Sequence, residues 1–234
     1  MTNNAQERLT DVYLFAVEHV RKRSFWWRLR AFFMSPISWA IAAAQRLFGG
    51  RTVKKYADII HVGLARGELL DPLGMVVVES TAKDGVAETT LVDAVSRYDP
   101  AFYNVFLVNA QNFVVADGMW NAALTFVGRG YDVLGAIRSG VDGLESLGIG
   151  DGGDNANTLF CSETIVQAAI MGALNRVTAK EWVASFFFDP TKPEERTPAD
   201  VCSWPLWAWG AKVNAHTLVA RLSSAPIRHE KPRR

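Results

Sequence analysis

The sequence predicts an α+β fold in which an antiparallel central sheet packs against helices. Strand-like apolar runs bunch in the middle of the chain at 58–67, 74–80 and 103–110, while helix-like segments lie toward both ends. Glu68 to Gly74, with Pro72 inside it, reads as a turn that joins the first two runs into a hairpin. Clustered strands flanked by helices favour this class over a doubly wound sheet.

Taken in order, Asp11 precedes a short strand over 12–15, and helical material follows at 26–34. Pro36 fits the first turn of a fresh helix running to about 48, where Gly49 and Gly50 stop it. DIIHVGLARG (58–67) is the clearest strand, and GMVVVES (74–80) is the next. Gly85, Val86 and Ala87 read as a connector, and TLVDAVSRY (90–98) as a helix or as a strand plus turn. YNVFLVNA (103–110) is a further strand; 111–127 carries a helix in its second part, with Gly118 counting against it. Residues 128–140 mix breakers with apolar residues, and 141–157 form a loop rich in glycine and aspartate that lacks EF-hand spacing. The next helix starts around Cys161 with an apolar stripe of Ile165, Val166, Ala169, Ile170 and Ala173. Residues 189–205 read as a polar, proline-rich surface excursion ending near WPLWAW, and HEKPRR as a basic tail.

Nearly half of the 234 residues are apolar, enough for one sizeable core. The formal charge of +1 conceals an asymmetry, because Val20 to Ala57 hold nine Lys and Arg and no Asp or Glu. Such a basic stretch could meet lipid phosphates, nucleic acid or an acidic part of the same protein. Between Phe25 and Phe48 the apolar run is too interrupted for a membrane span. An interfacial segment fits, with Trp26, Trp27 and Trp39 at headgroup depth and Arg28 and Arg30 on phosphates; the alternative is a core-packing helix pair broken at Pro36. The N-terminus lacks the order of a secretory leader, so a cytoplasmic or peripheral membrane location is the expectation. No nucleic-acid recognition motif accompanies the basic run, and no C-x-x-C, zinc-type or H-E-x-x-H spacing occurs, so neither a nucleic-acid partner nor a metal or cofactor is expected.

Cys161 and Cys202 are the only cysteines. Either is by default a small buried hydrophobe, but Cys161 falls in the first turn of its helix, where free amides and the helix dipole favour an anion. A nucleophile there needs a base. Of the four histidines, His61 alone lies in a confident strand, sharing a face with Gly63 and Ala65 that leaves room for a helix or ligand to approach. Hairpin pairing symmetric about residue 70 would set Glu79 opposite His61, close enough for the carboxylate to orient the imidazole. A glutamate after three valines on an inward face is costly unless paired.

In order along the chain, TDVYLF (10–15), IIHVGLA (59–65), VVVES (76–80), GRGYD (128–132) and FCSETIVQA (160–168) resemble the circularly permuted papain-fold cysteine hydrolases of the NlpC/P60 superfamily, YiiX-like branch. The resemblance spans roughly 8–175 and implies a permuted papain-like domain over 1–188, with a basic aromatic helical insertion at about 20–50 and an appendage over 189–234. It implies Cys161, His61 and Glu79 as a catalytic triad, with Tyr131, Asp132, Ser162 and Glu163 shaping the site. Thr10 departs from the usual glycine, and the basic insertion points to a remodelled cleft. The expected function is cysteine hydrolysis through an acyl-enzyme, on a peptide of the peptidoglycan kind; the alternative is a lipid or acyl ester or thioester hydrolase or acyltransferase at a membrane surface, with an anionic membrane as a candidate partner. The rival from another class is a noncatalytic scaffold with an unreactive thiol.

Overall fold

The computed structural model describes residues 11–20, 36–48, 54–132, 158–173, 178, 185–186 and 197–224. The strands are β1 (Asp11–His19), β2 (Ile59–Gly67), β3 (Val76–Thr81), β4 (Gly85–Thr90), β5 (Tyr103–Asn109) and β6 (Val213–Asn214). The helices are α1 (Pro36–Phe48), α2 (Leu91–Ser96), α3 (Phe113–Leu124), α4 (Cys161–Ala173), α5 (Pro198–Cys202) and α6 (Ala215–Ser224). The strands form one six-stranded antiparallel sheet in the order β4-β3-β2-β1-β5-β6, so the fold is α+β.

The first strand is longer than the expected 12–15 because it lies inside the sheet, paired with β2 on one side and β5 on the other. Buried on both faces, it has no polar alternation to mark its length. Its two faces divide the core. Val12, Leu14 and Ala16 pack with α3 and α4, while Tyr13, Phe15 and Val17 pack with residues of α1 and α2.

Gly85, Val86 and Ala87, expected as a connector, instead open the edge strand β4, paired with β3 from Val76↔Thr90 to Thr81↔Gly85. Its Glu88 and Thr90 side chains are exposed, as an edge allows, and mask the strand pattern. Thr90 then caps α2, accepting from the Asp93 amide at 3.1 Å, which resolves the 90–98 ambiguity as helix.

Gly118, which counted against a helix, is where α3 and α4 meet. A β-carbon on Gly172 of α4 would fall deep inside contact distance of the Gly118 carbonyl, so these backbones approach as only glycine permits. Gln45 ties α1 into the same body: its amide donates to the carbonyls of Ala57 (3.2 Å) and Ile59 (2.8 Å) and its oxygen accepts from Ala199 N (2.8 Å).

The expected surface excursion at 189–205 is corrected over its described part. Val201, Cys202, Trp204, Leu206 and Trp207 are buried in the core cluster that contains α3 and α4. Each large apolar side chain so covered contributes about 1.5–3 kcal/mol relative to exposure, which outweighs the polar, proline-rich composition. A capping box between Thr197 and Asp200, with Pro198 in the first turn, starts α5. The expected helix at 26–34, the loop at 141–157 and the basic tail lie outside the described residues.

Candidate active site

His61 and Glu79 come from neighbouring strands. His61 and Gly63 share one face of β2, and Glu79 lies on the matching face of β3. Pairing is centred one residue later than expected: Glu79 stands opposite Gly63, not His61. The shift moves the partner by two residues, and a period of two keeps it on the same face, so Glu79 meets His61 diagonally. The space at Gly63 is taken by Glu79 itself, because a β-carbon there would lie 2.8 Å from the Val78 carbonyl and 3.0 Å from Glu79 Cβ. The room at Gly63 thus serves the carboxylate, while the helix that starts at Cys161 reaches His61 itself.

Glu79 is fully buried and both its oxygens are engaged. Oε2 accepts from His61 Nε2 at 2.7 Å, and Oε1 accepts from Arg97 Nη1 at 2.7 Å. With Nε2 on the carboxylate, Nδ1 is the imidazole nitrogen left for the hydrogen bond between His61 and Cys161. Burial alone would drive the ring toward neutrality. The charge of Cys161 and its hydrogen bond, followed by the hydrogen bond and charge of Glu79, outweigh it and hold the His61 pKa up at about 10.

Cys161 opens α4. The Phe160 carbonyl accepts the first helical bond from Thr164 N at 2.9 Å, which makes Cys161 the first residue of the helix proper. Glu163 reaches back to the Phe160 amide at 3.4 Å, half of a capping box and a favourable charge at a helix N-terminus. Two further ties fix this start. Ser80 on β3 donates to the Leu159 carbonyl at 2.5 Å, and Gly130 pairs with Thr158 in a parallel bridge, with Leu159 N donating to Gly130 O at 2.9 Å. The bridge sets Tyr131 beside the thiol, where burial and then the charges of Cys161 and Asp132 hold its phenol above the usual range.

The structure therefore brings Cys161, His61, Glu79 and Tyr131 together; Asp132 acts on Tyr131 through its charge, Glu163 caps the helix and Ser162 is buried in its first turn. Trp39, expected on a membrane or substrate surface, is half-buried, its ring 5.7 Å from that of His19. Trp26, Trp27, Arg28 and Arg30 lie outside the described residues. His19, also stacked on Tyr103 at 5.3 Å, has its pKa lowered to about 4 by burial and then by the Arg46 charge, which a backbone hydrogen bond at Ser38 partly offsets. Cys202 is fully buried, and burial followed by the charge of Cys161 pushes its thiol well above the ordinary range.

Three neighbours escaped the sequence reading. Arg97 follows α2 and engages Glu79; Tyr98, next to it, tilts against the His61 ring at 6.0 Å between centroids; Phe15 of β1 meets that ring edge-on at 6.4 Å. Burial, then the charges of Glu79 and Cys161, keep Tyr98 protonated. One signal could have found Arg97: a carboxylate buried among valines calls for a cation as well as a histidine.

Among the described residues no group of three or more His, Cys, Asp or Glu side chains could hold a metal ion, and no helix is long and apolar enough to cross a membrane. Comparison with known proteins finds no matching family model, curated protein or solved structure.

Proposed function

We propose that the protein is a cysteine hydrolase that works through an acyl-enzyme, on a circularly permuted papain-like fold of the NlpC/P60 kind. One observation carries this: a thiol on the first residue of a helix, hydrogen-bonded to an imidazole whose other nitrogen is held by a buried carboxylate. The sulfur of Cys161 attacks a carbonyl carbon after giving its proton to His61, and first-turn amides of α4 stabilise the oxyanion. The carbon–nitrogen bond breaks as His61 returns the proton to the leaving amine. Water then attacks the thioester, His61 takes its proton, and the acid departs as the thiol is restored.

The favoured substrate is an amide in a peptidoglycan-like peptide, whose acidic groups suit the basic 20–57 stretch. The Trp26, Trp27, Phe32, Phe33 sequence supports a second reading, an acyl ester or thioester handled at an anionic membrane surface. The two cysteines give the test. Both are buried, so a small neutral reagent, iodoacetamide, is used at neutral pH. Fast, selective labelling of Cys161 that is lost in H61A is the expected result; equal, slow labelling of Cys161 and Cys202 sinks the hydrolase and favours the noncatalytic scaffold.

A further inference from the structure

We propose that Arg97 is a positioning residue of this site: it holds Oε1 of Glu79 so that Oε2 faces His61, and its positive charge helps the buried cluster carry a thiolate. The role rests on the hydrolase function above and goes one residue beyond its triad. A glutamate with no exposed surface has two oxygens to satisfy, and His61 can occupy only one. Arg97 Nη1 takes the other at 2.7 Å, a charge-assisted bond that leaves the carboxylate no freedom to turn away from the imidazole.

The local structure supports this placement. Arg97 is the C-cap of α2, its amide bonded to the Ala94 and Val95 carbonyls, and α2 is anchored at its start by Leu91 N donating to the Met75 carbonyl at 2.9 Å. The guanidinium spans two carboxylates, with Nη2 3.7 Å from Asp84 Oδ2 in the β3–β4 turn. Its side chain is 33% exposed, so the cation keeps contact with water while its inner nitrogen serves the buried acid. The other titratable groups facing the cluster are His61 on β2, Cys161 on α4, Tyr98 beside Arg97, Tyr131 before α4, and Cys202 on α5, which feels the Cys161 charge. Cys161 and Glu79 place negative charge here, and the Arg97 charge opposes it at Tyr98.

The sign follows from charge alone. Removing a cation near a thiolate and a carboxylate raises the proton affinity of the whole cluster. The experiment is the pH profile of Cys161 alkylation by iodoacetamide in wild type, R97M and R97K, with thermal unfolding run on each. In R97M the rising limb is expected to move upward by about 0.5–1 pH unit, the effect of one charge acting through the acid and the ring. R97K keeps the charge and is expected to stay within a few tenths of a unit of wild type. R97Q, which can still donate to Glu79 without a charge, takes the place of R97M if that variant does not fold, with the same upward shift expected. A limb that does not move in the neutral variant, or that moves as far in R97K, overturns the role even if unfolding temperatures fall. If wild-type Cys161 shows no labelling that depends on His61, the hydrolase function and this role fall together; if it does and only the Arg97 shift is missing, the role of Arg97 alone is lost.

Discussion

Replacing Glu79 by glutamine should shut down the thiol by moving a proton across the imidazole ring. Glu79 offers acceptor oxygens to both Arg97 and His61, each at 2.7 Å. Glutamine has one acceptor and one donor end, and Arg97 can only donate, so the amide oxygen must turn to Arg97 and the NH₂ to His61 Nε2. Nε2 must then accept, which places the ring proton on Nδ1, facing the sulfur. The ring can no longer take the thiol proton. Alkylation of Cys161 at pH 6 should therefore fall by about 10²-fold, the usual scale of loss when a positioned base is disabled. Both bonds lose the carboxylate's charge while Arg97 keeps its own, at about 1 kcal/mol each, so stability should fall by about 2 kcal/mol. In a chain of 234 residues that is a drop of about 4–8 °C. Stopped-flow or mass-spectrometric alkylation and differential scanning calorimetry measure both. A folded E79Q that labels at the wild-type rate at pH 6 would show that Glu79 does not set the tautomer.

Two further predictions concern the frame around the site. His19, with its pKa lowered to about 4 from 6.5, binds its proton more readily when unfolded, so it costs stability as pH falls from 6.5 to 4; the full cost is about 3 kcal/mol at 1.36 kcal/mol per unit. H19F, which keeps a ring between Trp39 and Tyr103, should lose less unfolding temperature between pH 7 and 4.5 than wild type, and an identical acid slope would contradict this. G172A should force α3 and α4 apart at Gly118 and lower stability by about 1–3 kcal/mol in a denaturant titration, whereas a neutral result would mean the helices can separate freely.

The local elements were readable where one force dominated. Pro36 did mark a helix start and HVG did lie in a strand, because proline geometry and apolar runs act within a few residues. The register of β2 on β3 was not fixed by the turn sequence; the chain settled two residues from symmetric pairing, where Gly63 leaves space for Glu79. Edge strand β4 was hidden by its solvated Glu and Thr side chains. WPLWAW looked like part of a polar excursion because its burial depends on α3 and α4, far away in sequence. Arg97 was missed for a related reason. Its role follows from a buried carboxylate's second oxygen, which no sequence spacing records.

The hairpin and the helix after it gather His61, Glu79 and Arg97 from a short span, Glu79 lying 18 positions after His61 and Arg97 18 positions after Glu79. The cysteine is delivered from much farther on: the tie that seats its helix joins Ser80 to Leu159 across 79 residues. Loop closure of that length is slow compared with hairpin formation, and a chain emerging from the ribosome completes its early part first. A nascent chain that ends before 158 thus carries the proton-handling half with no sulfur for it to serve. The grouping of all four side chains is therefore complete only once the late helix docks.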